Sequence, residues 1–157
     1  NNLSQKINIL KQIISATKYL HNNNIIHRDI KPKNILFSKD NTLKLSDFGL
    51  STLNSNINVL NSSKGTFLYK DPYFNDKNMD IYSIGVIILE MFSEFKTEME
   101  RIKIISGLKK NEIPLNFPDN LKNIIKHCIT HSKSERYNIK DLENIIFKEI
   151  NTNVSQI

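Results

Sequence analysis

From Asp80 to Phe92 the chain is apolar on almost every side, with Ile81, Ile84, Val86, Ile87, Ile88, Leu89, Met91 and Phe92 leaving no polar face for water. A helix of that kind has to be buried against protein all round. A bilayer would bury it equally well, but the run is shorter than the ~20 residues a membrane span needs. It also carries Asp80 and Glu90, which the hydrocarbon interior disfavours. The rest of the chain is therefore expected to wrap this helix. At 157 residues there is enough of it for one compact domain with a real core.

The wrapping elements can be read from periodicity. Leu3, Ile7, Leu10, Ile14, Thr17 and Leu20 recur at helical spacing up to the breaker Asn22-Asn23-Asn24. Ile35-Leu36-Phe37 reads as a short buried strand, Lys39-Asp40-Asn41 as a turn, and Leu43 with Leu45 as a second strand. Thr97-Glu98-Met99-Glu100 has the form of a capping box, opening a helix with Met99, Ile102, Ile105 and Leu108 as its apolar positions. Leu121, Ile124, Ile125, Cys128 and Ile129 mark another. A last helix follows Asn138, read as its N-cap, with Leu142, Ile145, Ile146 and Phe147 facing inward. The fold class is mainly α, with one short two-stranded β-hairpin. No repeat, signal peptide or low-complexity linker interrupts it.

Between the first helix and the hairpin stands His27-Arg28-Asp29-Ile30-Lys31-Pro32-Lys33-Asn34, and the second strand runs into Asp47-Phe48-Gly49. Asp-Phe-Gly alone is a common turn tripeptide. In this order, with strand, turn and strand between them, the two stretches match the protein-kinase catalytic loop H-R-D-x-x-x-x-N and the D-F-G element. The chain thus resembles the large, C-terminal lobe of a eukaryotic protein kinase, with the hairpin at the catalytic cleft. That resemblance implies ATP and Mg2+ as cofactors, and it implies roles. Asp29 orients the substrate hydroxyl, Lys31 neutralises the transferred group, Asn34 and Asp47 hold magnesium, and Leu36 touches the adenine ring. Thr66, after Gly65, corresponds to the threonine that contacts the catalytic aspartate and lysine. Asp29 needs no raised pKa, since an ordinary aspartate titrates near ~4 and is ionised at neutral pH. Lys31, two residues beyond Asp29, follows the serine/threonine pattern. The apolar run becomes the central helix of the lobe, and Asp80 an architectural residue bonding the catalytic-loop backbone.

The stretch from Asp80 onward narrows the resemblance. Its continuation Phe95-Lys96-Thr97-Glu98-Met99-Glu100-Arg101, with Leu108-Lys109 at the helix end, is similar to the kinases of the alpha subunit of translation initiation factor 2, in particular the haem-regulated and endoplasmic-reticulum stress members. In that family the helix starting near Thr97 docks the folded substrate away from the reaction. Thr97, Glu98 and Glu100 are the docking residues the resemblance implies; on their own they describe a well-capped surface helix.

The activation segment, about 47–72, is rich in Ser, Thr and Asn and reads as a mobile loop. Arg28 is the residue type that grips an activation-segment phosphate. Ser62 and Ser63 fall where the family is phosphorylated. The segment departs from the family in ending Asp71-Pro72-Tyr73, where kinases have Ala-Pro-Glu or Ser-Pro-Glu. That glutamate ordinarily pairs with a buried arginine, matched here by Arg136. Either Asp71, Asp76 or another acid replaces it, or the lobe loses stability, because orphaning one member of a buried pair costs about 3–5 kcal/mol.

Nothing before Leu3 supplies a glycine-rich loop or the strand lysine that grips the nucleotide phosphates. The small lobe is expected to be absent from residues 1–157, a C-terminal lobe read as part of a longer kinase. As it stands the lobe should hold nucleotide weakly, and pairing of two copies would use the missing half. The net charge of +6 is spread without a basic-aromatic patch, so no nucleic-acid partner is expected. The single Cys128 excludes an internal disulfide and fits a reducing compartment. His21, His127 and His131 lack metal-ligand spacing and read as ordinary surface or core residues. The sum is a serine/threonine protein kinase lobe acting on the alpha subunit of initiation factor 2, in the cytoplasm or on the cytosolic face of a membrane. The contrasting reading is an inactive lobe that binds proteins and transfers nothing.

Overall fold

The computed structural model describes residues 3–53 and 66–152. Five helices make up most of it: α1 Leu3–Asn22, α2 Asn78–Phe92, α3 Glu98–Gly107, α4 Asp119–Ile129 and α5 Ile139–Thr152. Strands β2 Ile35–Phe37 and β3 Leu43–Leu45 form the expected antiparallel hairpin, with Ile35 opposite Leu45 and Phe37 opposite Leu43. A second antiparallel pair, β1 Ile25–Ile26 with β4 Thr52–Leu53, brackets the catalytic loop.

The apolar run behaves as its sequence requires. Every residue from Met79 to Leu89 is buried, and α2 is packed by α1, α3 and α4. The approach of α4 is close enough to need a glycine. A Cβ at Gly85 would lie 2.6 Å from that of Cys128, inside contact distance. Burial pushes the Cys128 thiol up to about 12, so it stays protonated and packs as a small hydrophobe. On the other side α1 lies against α5, burying Leu10, Ile13 and Ile14 completely. Asn138 caps α5 as expected, accepting from the Lys140 and Asp141 amides at 2.9 and 3.1 Å.

Three apolar assignments are corrected. Leu36 and Phe37 are 52% and 50% exposed, because the hairpin stands at the rim of the lobe and only its Leu43 side packs on α1, where Gln12 Oε1 accepts the Leu43 amide at 2.8 Å. In α3 only Ile105 is buried, with Leu108 just beyond it; Met99 and Ile102 are 83% and 43% exposed. Helical spacing was real there, but the apolar stripe is wider than the one face that meets the core. Phe147 of α5 turns outward too, and Lys11 Nζ lies 4.9 Å from its ring.

Tyr82 is fully buried in α2, and its hydroxyl has no hydrogen-bond partner among the described residues. An unsatisfied buried hydroxyl costs the protein its desolvation. Tyr82→Phe should therefore stabilise the fold by about 1 kcal/mol, read as a higher midpoint in urea. A lower midpoint would mean that the hydroxyl is bonded in solution.

Candidate active site

The loop between β1 and β2 is held from below by one carboxylate. Asp80, in the first turn of α2 and fully buried, accepts the backbone amides of His27 and Arg28, each at 2.9 Å. His21 Nε2 meets the same carboxylate at 2.8 Å. The architectural role expected of Asp80 is what the structure shows. His21, read as an ordinary surface or core residue, is a core one, buried in this cluster. Its spacing to Asp80 gave no signal, since the partners are 59 residues apart in sequence.

This support lets the loop take an otherwise unfavourable turn. Arg28 has φ +70°, left-handed and costly for a residue with a Cβ. Its guanidinium meets the Asn75 side chain and lies 3.6 Å from Met79 Sδ. His27 is fully buried. Its Nε2 lies 3.1 Å from the Ser46 carbonyl, and its Nδ1 accepts the Asp29 amide at 3.3 Å. Those partners fix the neutral Nε2–H tautomer. His27 thus joins the loop to the strand that leads to Asp47.

Asp29, only 6% exposed, has two oxygens in unlike surroundings. One, Oδ2, is 2.8 Å from Lys31 Nζ and accepts from Asn34 Nδ2 at 3.0 Å. The other, Oδ1, is buried and has no partner among the described residues. Asn34 also donates to the Asp29 carbonyl at 2.8 Å. Since its amide nitrogen is occupied in this way, the oxygen is the atom left for a cation. The carbonyl of Asn34 accepts both the amide and the hydroxyl of Ser46, at 2.9 and 3.2 Å, so Asp47 follows directly on a residue clamped to Asn34. Ser46 was not singled out from sequence, because its contribution is mostly backbone.

Asp47 is left-handed, φ +65°, and its Oδ1 accepts the Gly49 amide at 3.3 Å. A Cβ at Gly49 would sit 3.2 Å from that oxygen, a tight contact that a larger residue would bring against Asp47. Phe48 tilts onto His27 with ring centroids 5.0 Å apart. Asn34 and Asp47 offer oxygen donors only, the set that suits Mg2+, which prefers few carboxylates together with phosphate oxygens. The residues present therefore fit the ion.

The acid that meets Arg136 is Asp71. Their side chains form a buried ion pair with no exposed surface, and the guanidinium also donates to the carbonyls of Asn78, Ile129 and Thr130. Burial pushes the Asp71 carboxyl up, against the opposing pull of the Tyr73 amide and of Arg136. Asp76, the other acid considered, pairs with Lys133 at 2.6 Å and caps α2 through the Asn78 amide at 2.9 Å. Tyr73, standing where the glutamate was expected, packs its ring at a tilt against His131, centroids 3.7 Å apart, and donates to the Lys109 carbonyl at 2.7 Å.

Of the remaining assignments, Ser62 and Ser63 lie outside the described residues. Thr66 opens a 3-10 turn, Thr66–Leu68. Thr97 caps α3, its Oγ1 accepting the Glu100 amide at 3.1 Å. Glu100 accepts the Lys96 amide at 2.7 Å, and Glu98 pairs with Arg101 at 2.7 Å. Exposed Met99 lies among them. No described helix is long and apolar enough to cross a membrane.

Comparison with known proteins agrees with this geometry. A family model for the protein kinase domain matches residues 3–147. An eIF-2-alpha kinase GCN2 of Schizosaccharomyces pombe is 35% identical over 134 residues, 70% of this chain and 8% of that protein. Eukaryotic translation initiation factor 2-alpha kinase 1 of Mus musculus is 34% identical over 143 residues, 80% and 22% of the two chains. The Plasmodium falciparum protein of the same name is 43% identical over 116 residues, 68% and 7%. The chain spans less than a quarter of each of these relatives.

Proposed function

This chain belongs to the protein kinase family, and from that premise we propose that it forms the catalytic lobe of a serine/threonine kinase whose substrate is the alpha subunit of translation initiation factor 2. One observation carries the reading: the buried oxygen Asp29 Oδ1 has no partner among the described residues, while its twin is held by Lys31 and Asn34. A substrate hydroxyl that donates to Oδ1 would satisfy a group otherwise left at a cost of about 1–3 kcal/mol. It would also have its oxygen turned toward the phosphorus.

ATP with Mg2+ would supply the transferable phosphoryl group and the charge neutralisation of its oxygens. Asn34 and Asp47 would hold the ion, and Lys31, beside Asp29, would face the group in transit. Leu36, half exposed on β2, would meet the adenine ring from the lobe side. Arg28 and the serines at 62 and 63 remain the regulatory set of this reading. Asp71 pairs with Arg136 in place of the missing glutamate, which removes one of the two grounds for a non-catalytic binding lobe, the other being the missing small lobe. The names of the similar proteins support initiation factor 2 alpha as the substrate; stress control of translation, in the cytoplasm or at a membrane's cytosolic face, belongs to the same proposal.

The test is transfer of labelled phosphate from ATP to the purified alpha subunit by the full-length protein. An unrelated folded protein carrying exposed serines serves as the comparison. Equal labelling of both would overturn the substrate assignment. Docking on α3 adds a second expectation. Thr97→Ala removes the cap, at about 1 kcal/mol, and should weaken labelling of the folded subunit severalfold more than that of a short peptide containing its acceptor serine. Equal loss on both would count against docking.

A further inference from the structure

Three side-chain links join α3 and the turn after it to the segment 67–73. Arg101 Nη2 donates to Tyr69 Oη at 2.7 Å, while Arg101 Nε and Tyr69 Oη both bond to Glu90 of α2, each at 2.5 Å. Lys109 Nζ donates to the Phe67 carbonyl at 2.7 Å and lies 3.2 Å from the centre of the Phe67 ring. Tyr73 Oη closes the set by donating to the Lys109 carbonyl at 2.7 Å. Lys109 is thus engaged from both ends, by its ammonium and by its backbone.

The lysine's surroundings are unusual for a cation. No carboxylate pairs with it among the described residues, and burial pulls its pKa below the ordinary lysine value. Its half-buried ammonium feels Asp71 only at a distance, and its direct contacts go to the carbonyl and ring of Phe67. Phe67 itself is exposed and follows Thr66, the residue assigned to the reacting groups.

We infer that Lys109 is a positioning residue: it locks the Thr66–Leu68 turn to the end of α3, so that the surface receiving a protein substrate and the turn beside the reacting aspartate move as one body. The inference rests on the kinase reading and deepens it. Arg101 and Tyr73 hold the flanks of the same segment, and Lys109 hydrogen-bonds to the turn itself.

The test uses the full-length protein with Lys109→Met, which keeps a flexible apolar stem over Phe67 but removes the donor and the charge, and Lys109→Arg, which retains both. For Lys109→Met, kcat should fall about tenfold on the folded alpha subunit and on the short peptide alike, with KM for ATP changed by less than about twofold. Lys109→Arg should keep most of the activity. A loss confined to the folded subunit would make Lys109 a docking residue and overturn the inference, as would equal defects in the two variants. Amide hydrogen exchange gives a readout free of activity: at 67–69 it should speed up about tenfold in Lys109→Met, with α4 and α5 unchanged. Unchanged exchange at 67–69 overturns the lock. A wild-type protein that transfers no phosphate would instead overturn the kinase reading, leaving the lock to be judged by exchange.

Discussion

Asp29→Asn is expected to lower phosphoryl transfer by about 10²–10⁴-fold, the range typical of a lost positioned acid–base group. The change is nearly isosteric, and the fold should survive it. An asparagine oxygen facing Lys31 and Asn34 could still accept their hydrogen bonds, now found at 2.8 and 3.0 Å. Its amide nitrogen would then occupy the position of Oδ1, presenting N–H groups where the substrate hydroxyl must donate. The lost negative charge would also leave Lys31 without its counter-ion, changing the field at the transferred group. Labelling of the alpha subunit by the full-length protein measures the effect, with thermal unfolding as the control for folding. KM for ATP should change by less than about twofold, because Asp29 acts on the acceptor and not on the nucleotide. Full labelling by the variant would remove Asp29 from the reaction, and with it the central role assigned to this loop.

The largest stability effect is expected at Asp71. Asp71→Ala leaves the Arg136 guanidinium buried, with carbonyls as its hydrogen-bond acceptors and no negative charge. Breaking such a pair from one side costs about 3–5 kcal/mol, a large part of the ~5–15 kcal/mol that holds a domain of this size together. Urea unfolding should show a midpoint lowered accordingly. Two further substitutions separate pairing from packing. Asp71→Ala with Arg136→Met removes both charges and should recover part of the loss, since a buried pair exchanged for apolar groups is often close to neutral. Asp71→Ala with Tyr73→Glu returns the acid to the place it has in kinases generally and should recover part as well. A loss below about 1 kcal/mol in the single variant would show that the pair is solvated and that Arg136 is held by its carbonyls.

Most of the helical frame could be read before any coordinates, because burial imposes a period that the chain has to obey. The run from Asp80 to Phe92 demanded surrounding helices, and the structure has them; Leu121, Ile124, Ile125, Cys128 and Ile129 are all buried as their spacing required. The catalytic loop and hairpin were legible for another reason, since reacting groups tolerate few alternatives. Periodicity says that residues share a face, but not whether that face meets protein. Met99 and Ile102 share a stripe with Ile105 that the core does not fully cover, and β2 sits at a rim. The β1–β4 pair is two residues long on each side, too short for any alternation. Asp71 and His21 show a further limit. A buried charge chooses its partner in three dimensions, so sequence could name Asp71 and Asp76 as candidates for Arg136 without choosing between them.

Asp80 serves three donors with two oxygens, and this leaves evolution little latitude at one position. Glutamate would carry the carboxylate a methylene too far to meet both amides, and asparagine would turn an N–H toward a group that also donates. Variation among descendants of this lobe is therefore channelled outward, into the rim strand and the exposed side of α3, where sequence can drift without disturbing the loop. A lineage could acquire new targets there while its chemistry stayed fixed.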